Sequence, residues 1–154
     1  MTARNDRIAG GLVLVLGILI VGTGIYFMFL RPPLLPEDIR HTGIDLALLP
    51  PAFAEWLGIV FATWGGFTAG FGIVLSGIGI YLAGGARGWL LAGTALGLLL
   101  ATGRFAISNI VIGSDFLWFV VPLFLLAVVA ATALLWRWWK GQSGMDRWTG
   151  GKEP

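Results

Sequence analysis

The chain has 154 residues, 57% of them apolar and only 12% charged, with a net charge of +2 and no cysteine. Its charged share is about half that of a soluble domain, and apolar runs of some twenty residues are too much for so small a soluble core to bury. These figures exclude a soluble globular fold, disulfides and thiolate metal or redox chemistry, and so small a positive charge does not point to nucleic acid.

Four membrane spans are predicted, at about 8–30, 56–83, 88–112 and 116–136, each long enough to cross ~30 Å of hydrocarbon at 1.5 Å per residue. Arg4 and Arg7 precede the first, as they would in a secretory signal. Its apolar run exceeds the usual ~7–15 residues of a signal, however, and no small-x-small cleavage site precedes Arg31. The expected fold is all-α: an integral membrane four-helix bundle over residues 1–140. No internal repeat is evident.

Between the first two spans lies an outer loop, 31–55, that begins RPPLLPEDIRH, with three prolines, four charges and the lone histidine, His41. Pro32 and Pro33 block the first span from continuing. Pro36, Glu37 and Asp38 read as the first turn of a short helix, with acids at its positive end, and Thr42 and Gly43 read as its stop. Leu46, Leu48 and Leu49 suit an apolar rim ahead of Pro50 and Pro51.

Span two carries Gly58, Ala62, Gly66 and Gly70, and span three carries Gly93, Gly97 and Ala101, each set at steps of four. Residues so spaced share a helix face and let backbones approach closely in lipid. The tight turn AGGARG joins the two spans, so these stripes are expected to pack against each other, with a dimer surface as the alternative. Ser114 and Asp115 read as the N-cap of span four, and Pro122 predicts a kink there.

Basic residues set the expected orientation. Arg4, Arg7, Arg87, Arg137, Lys140, Arg147 and Lys152 share one side, opposite Arg31 and Arg40. Both termini are therefore expected in the cytoplasm, with the bacterial inner membrane as the location. WRWWK, with Trp136, Trp138 and Trp139, reads as an interfacial anchor, and Trp56 and Trp118 suit the opposite interface. Residues 141–154, polar and glycine-rich, read as a flexible cytoplasmic tail, with Trp148 on its surface.

Arg104 is the most informative single residue. It lies ~25 Å along a helix from Arg87 and about 20° from Gly93 and Gly97 on the helical wheel, so it should face protein. A charge within the bilayer is a functional-site hypothesis by default. Candidate partners at its depth are Trp64 and Tyr26, with Thr23 and Thr63. No acid lies at that level, so a carboxylate from above is expected to descend: Glu55 first, or Asp38, Asp45 or Asp115. The outer loop would then be a lid over Arg104. The alternative is a solvated loop whose acids pair with Arg31 and Arg40.

FLRPPLLPEDIRHTG after span one, GG in span two and ATGRFAIS in span three resemble small four-helix bacterial inner-membrane proteins of uncharacterised families. The resemblance implies that Arg104 and the segment Pro36, Glu37 and Asp38 are signature positions, and implies no activity. Small multidrug transporters also have four helices, but they carry a glutamate in the first span, where this chain has no charge. Three functions follow from the residues. The first is a non-enzymatic accessory protein with a membrane-protein partner or a second copy of itself. The second is a binder or carrier of a small lipophilic or anionic molecule around Arg104. The third is a membrane enzyme acting on lipid or quinone through His41, Asp38 and Glu55. Membrane lipid is a partner in all three. No cofactor or metal site is expected, since His41 and one nearby carboxylate supply too few ligands.

Overall fold

The computed structural model describes residues 3–85 and 88–149, and the side chains of 4–85 and 88–141. Arg87 and Lys152, and the side chains of Arg147 and Trp148, lie outside the described residues. The chain forms α1 (Ala3–Ile25), which runs into a π-helical turn over Tyr26–Leu30, then α2 (Pro36–Thr42), a 3-10 turn at Leu46–Leu48, α3 (Pro51–Ala83), α4 (Trp89–Ile112) and α5 (Leu117–Thr149). Four of these helices are long and apolar enough to cross a membrane: Arg4–Leu30, Pro51–Ala83, Trp89–Ile112 and Leu117–Gly141. Trp118 and Trp136, both exposed on α5, are about 27 Å apart by helical rise, close to the hydrocarbon thickness.

The short helix forms where Pro36 opens it, and it stops at Gly43, whose φ of 70° is accessible without strain only to glycine. Two boundaries differ from expectation. Helix α3 begins at Pro51, ahead of Trp56, because Pro51 is preorganised for the first helical turn; Glu55 is therefore helical. Helix α5 continues through Thr149, so residues 142–149, expected as flexible tail, extend the helix.

The close seam is between α1 and α3, not between α3 and α4. Glycines recur every seventh residue on both helices, and they pair in antiparallel register: Gly10 with Gly79, Gly17 with Gly72, and Gly24 with Gly65. A Cβ on Gly79 would lie 2.6 Å from Leu14 N, and one on Gly72 would lie 2.7 Å from Gly17 O, so backbone touches backbone. Without a hydrophobic drive in lipid, dispersion at such close approach holds helices together. The stripe expected to do this is elsewhere. A Cβ on Gly58, Gly70, Gly93 or Gly97 would meet nothing within 4 Å, and one on Gly66 would meet only Met28 Sδ at 4.0 Å. Ala62 is half-buried and Ala101 exposed. The tight turn joins α3 to α4 in sequence, but α4 packs along α5 and α1 also touches α5.

The core lies toward the end where α1 begins and α3 ends. Leu16, Leu75, Leu82, Leu91, Leu98 and Leu134 are sealed there, with Ala95, Ala127, Ala130 and Ala131 between them. Arg137, 5% exposed, pairs with Asp6 at 2.8 Å and ties α5 to α1. Trp138 stacks on Trp89 with ring centroids 5.5 Å apart, and Lys140 lies over Trp136 at 4.7 Å.

Candidate functional site

At the opposite, loop end, the π turn closes with Arg31 N–H donating to Tyr26 O at 2.9 Å. Pro32 and Pro33 follow and offer carbonyls but no N–H. Both carbonyls accept from Arg31 Nη1, at 3.0 and 3.3 Å. Its Nη2 meets Asp38 Oδ2 at 2.6 Å, and the guanidinium lies 3.5 Å from the Phe61 ring centroid. Arg31 is thus buried and satisfied by charge, carbonyls and an aromatic face. Asp38 Oδ2 also accepts the Leu35 N–H at 2.9 Å, the reach-back of a capping box, and so starts α2.

Two further contacts fasten α2 to the turn between α4 and α5. Arg40 makes a two-pronged pair with Asp115, at 2.7 and 3.2 Å, and reaches Gly113 O at 3.4 Å. The bond to Asp115 raises the pKa of the exposed Arg40 above its ordinary value. On the inner face of α2, Glu37 is only 2% exposed and accepts from Ser114 Oγ at 3.0 Å. Ser114 also takes the Phe116 N–H on its hydroxyl at 3.2 Å, as expected of a cap for α5. Asp115 serves Arg40 instead.

Below α2, the walls of α1, α3 and α4 enclose a cleft of about 860 Å³. Its upper rim holds Arg31, Asp38, Glu37 and Ser114; its sides hold Phe27, Phe61, Trp64, Phe67, Phe71 and Phe105. Phe27 stands at the centre of the aromatic wall, 6.4 Å from Phe61 and 6.3 Å from Phe105 between ring centroids. Arg104 and Ser108 line the α4 side. Arg104 Nη1 donates to Ser108 Oγ at 2.8 Å, and that hydroxyl returns a bond to Arg104 O at 3.0 Å. The side chain therefore reaches toward the loop end, with its guanidinium roughly 6 Å short of the end of α4.

Among the described residues no carboxylate pairs with Arg104. The expected descent of Glu55 does not occur: Glu55 is exposed on the first turns of α3 and outside the cleft. Arg104, expected to face protein beside Gly93 and Gly97, is instead exposed, and that face looks onto open space and cleft rather than onto a packed helix. Asp45 is exposed and caps the Ala47 N–H at 3.0 Å, and His41 is exposed. Tyr26 packs on Phe116, with centroids 5.7 Å apart. Of the expected partners, the cleft brings Arg104 together with Trp64, Asp38 and Thr23 only. Asp38 pairs with Arg31, as the solvated-loop alternative held, and the expected lid over Arg104 does not form, although Glu37 and Asp38 line the cleft. Ser108, four residues beyond Arg104, and the buried Glu37 were missed as site residues. A hydroxyl at i+4 was the available signal for the first; nothing local announces the burial of the second.

No family model, curated protein or solved structure matches this chain.

Proposed function

We propose that this membrane protein binds an amphiphile with an anionic group, seated in the cleft between α3 and α4 with its charge on Arg104 and Ser108. The observation that carries this is Arg104 itself, a permanent cation at the wall of an aromatic cleft with no carboxylate partner among the described residues. A guanidinium stays protonated and is costly at bilayer depth without an anion. The rings beside it suit an alkyl or prenyl chain. The location we infer is the bacterial inner membrane with both termini cytoplasmic, supported by the asymmetry of basic residues. Fusions of reporters at residue 45 and at the C-terminus should then read oppositely.

The binding test is native mass spectrometry of the purified chain with dioleoyl phosphatidic acid and, separately, dioleoylglycerol. The wild type should retain the phosphatidic acid about tenfold better, a preference of ~1.4 kcal/mol. Arg104→Gln should level the two. A wild type that does not discriminate between them refutes the proposal.

The accessory-protein alternative draws support from the open glycine face at Gly58, Gly66 and Gly70. Recovery of a stoichiometric protein partner from native membranes, with no bound amphiphile, would favour it.

A further inference from the structure

Two charged groups of opposite sign line the cleft without a salt bridge among the described residues. Arg104 is the cation. The anion is Glu37, 2% exposed, whose hydrogen bond comes from the neutral Ser114 hydroxyl. The neighbouring charges have nearer partners: Arg31 pairs with Asp38, Arg40 with Asp115, and Arg137 with Asp6 at the far end, while Arg40 attracts Glu37 only from a distance. Burying a carboxylate beside one hydroxyl leaves most of its desolvation uncompensated.

Both groups line one cleft, each beside a serine. Ser108 marks the position of the Arg104 guanidinium and Ser114 that of the Glu37 carboxylate. Along the axis of α4 the two serines are offset by roughly 9 Å at helical rise, with Ser114 N–H folded back onto Asn109 O at the end of the helix. A phosphoethanolamine measures roughly 4–5 Å from phosphorus to nitrogen by ordinary bond lengths. Adding a hydrogen bond of ~2.9 Å at each end spans the gap. Glu37 lies nearer the loop end than Arg104, and the aromatic wall continues below both.

Resting on the anionic-amphiphile function above, we propose that the cleft recognises a zwitterionic lipid headgroup of the ethanolamine type, phosphate on Arg104 and Ser108, protonated primary amine on Glu37. A primary ammonium donates hydrogen bonds to a carboxylate, whereas a quaternary ammonium cannot and favours aromatic faces. The aromatic face beside the Arg31–Asp38 pair, that of Phe61, is already covered by Arg31, while other rings of the wall stay open, which is why the methylation series is the deciding comparison.

The test uses the full chain in a neutral detergent with dioleoyl phosphatidylethanolamine, its mono- and dimethyl derivatives, phosphatidylcholine and phosphatidylglycerol as probes. The wild type should bind phosphatidylethanolamine about tenfold better than phosphatidylcholine, falling stepwise with methylation. Glu37→Gln should abolish that order while retaining phosphatidylglycerol, and Arg104→Gln should weaken every phospholipid. The methylation series on the wild type decides the matter even if Glu37→Gln does not fold. Equal or better binding of phosphatidylcholine or phosphatidylglycerol by the wild type overturns the amine site; if that binding still needs Arg104, the anion site stands. Binding indifferent to Arg104→Gln removes both. Soluble O-phosphoethanolamine should not compete; displacement by it at the lipid's own concentration would overturn the assignment to a lipid.

Discussion

At the end where α1 begins and α3 ends, Gly10 meets Gly79, Leu82, Leu91 and Leu134 are sealed, and Arg137 is locked to Asp6. At the loop end, the same α3 and α4 stand apart across about 860 Å³, lined by Phe61, Trp64, Phe67 and Phe105. The difference lies in side-chain size and not in hydrophobicity, since both ends are apolar. Lipid is as good a solvent for phenylalanine as another helix is, so apolar surface alone does not close a gap within a bilayer. Small residues in register close the seam of α1 with α3 along its length; α3 and α4 share no such seam, and rings line the space between them. Arg104, without a carboxylate partner among the described residues, stands on that open wall, where the proposed amphiphile would reach it from the side.

The largest test of this contrast is a pair of glycine substitutions on one helix. Gly72→Leu forces a side chain into the backbone of α1 and should cost about 3 kcal/mol or more, seen as a lower Tm in detergent. Gly70→Leu, which would meet nothing within 4 Å, should stay within about 0.5 kcal/mol of the wild type. Equal losses would break the distinction between seam and open face. The ion pairs make a second comparison. Asp6→Asn removes the carboxylate that pairs with the buried Arg137 and should cost about 2–4 kcal/mol, while Asp115→Asn at the exposed Arg40 should leave Tm nearly unchanged, because water screens that pair. A third test fills the open half. Ala101→Phe projects a ring into the cleft and should reduce phosphatidic acid retention about tenfold by mass spectrometry with little change in Tm. The smallest expected effect on stability is that of Arg104→Gln, which should leave Tm unchanged or slightly raised, since it removes a charge without a carboxylate partner from a membrane helix. A marked loss of stability would mean that Arg104 holds the fold together.

Much of the site could be read one residue at a time. Arg104 stands out because charge inside an apolar run is rare, and its angular position beside Gly93 and Gly97 follows from helical geometry. The short helix α2 could be read from Pro36, its following acids and Gly43. The partner of Arg104 could not, because depth along separate helices depends on their tilt and on where α3 begins. Glu37 and Glu55 look equivalent in sequence, yet one is buried against Ser114 and the other exposed.

The sequence by itself determined four membrane-length helices, the capped turn of α2 and a cation within α4, since these depend on length, local backbone chemistry and the period of a helix. Only the tertiary structure decided which glycines touch. Gly66 and Gly72 are alike in local sequence terms, and the steps-of-four stripe through Gly66 is the more conspicuous. The seam instead follows the sevenfold spacing shared by α1 and α3, because a contact between helices needs two matching faces, and no single helix reveals the face of its partner.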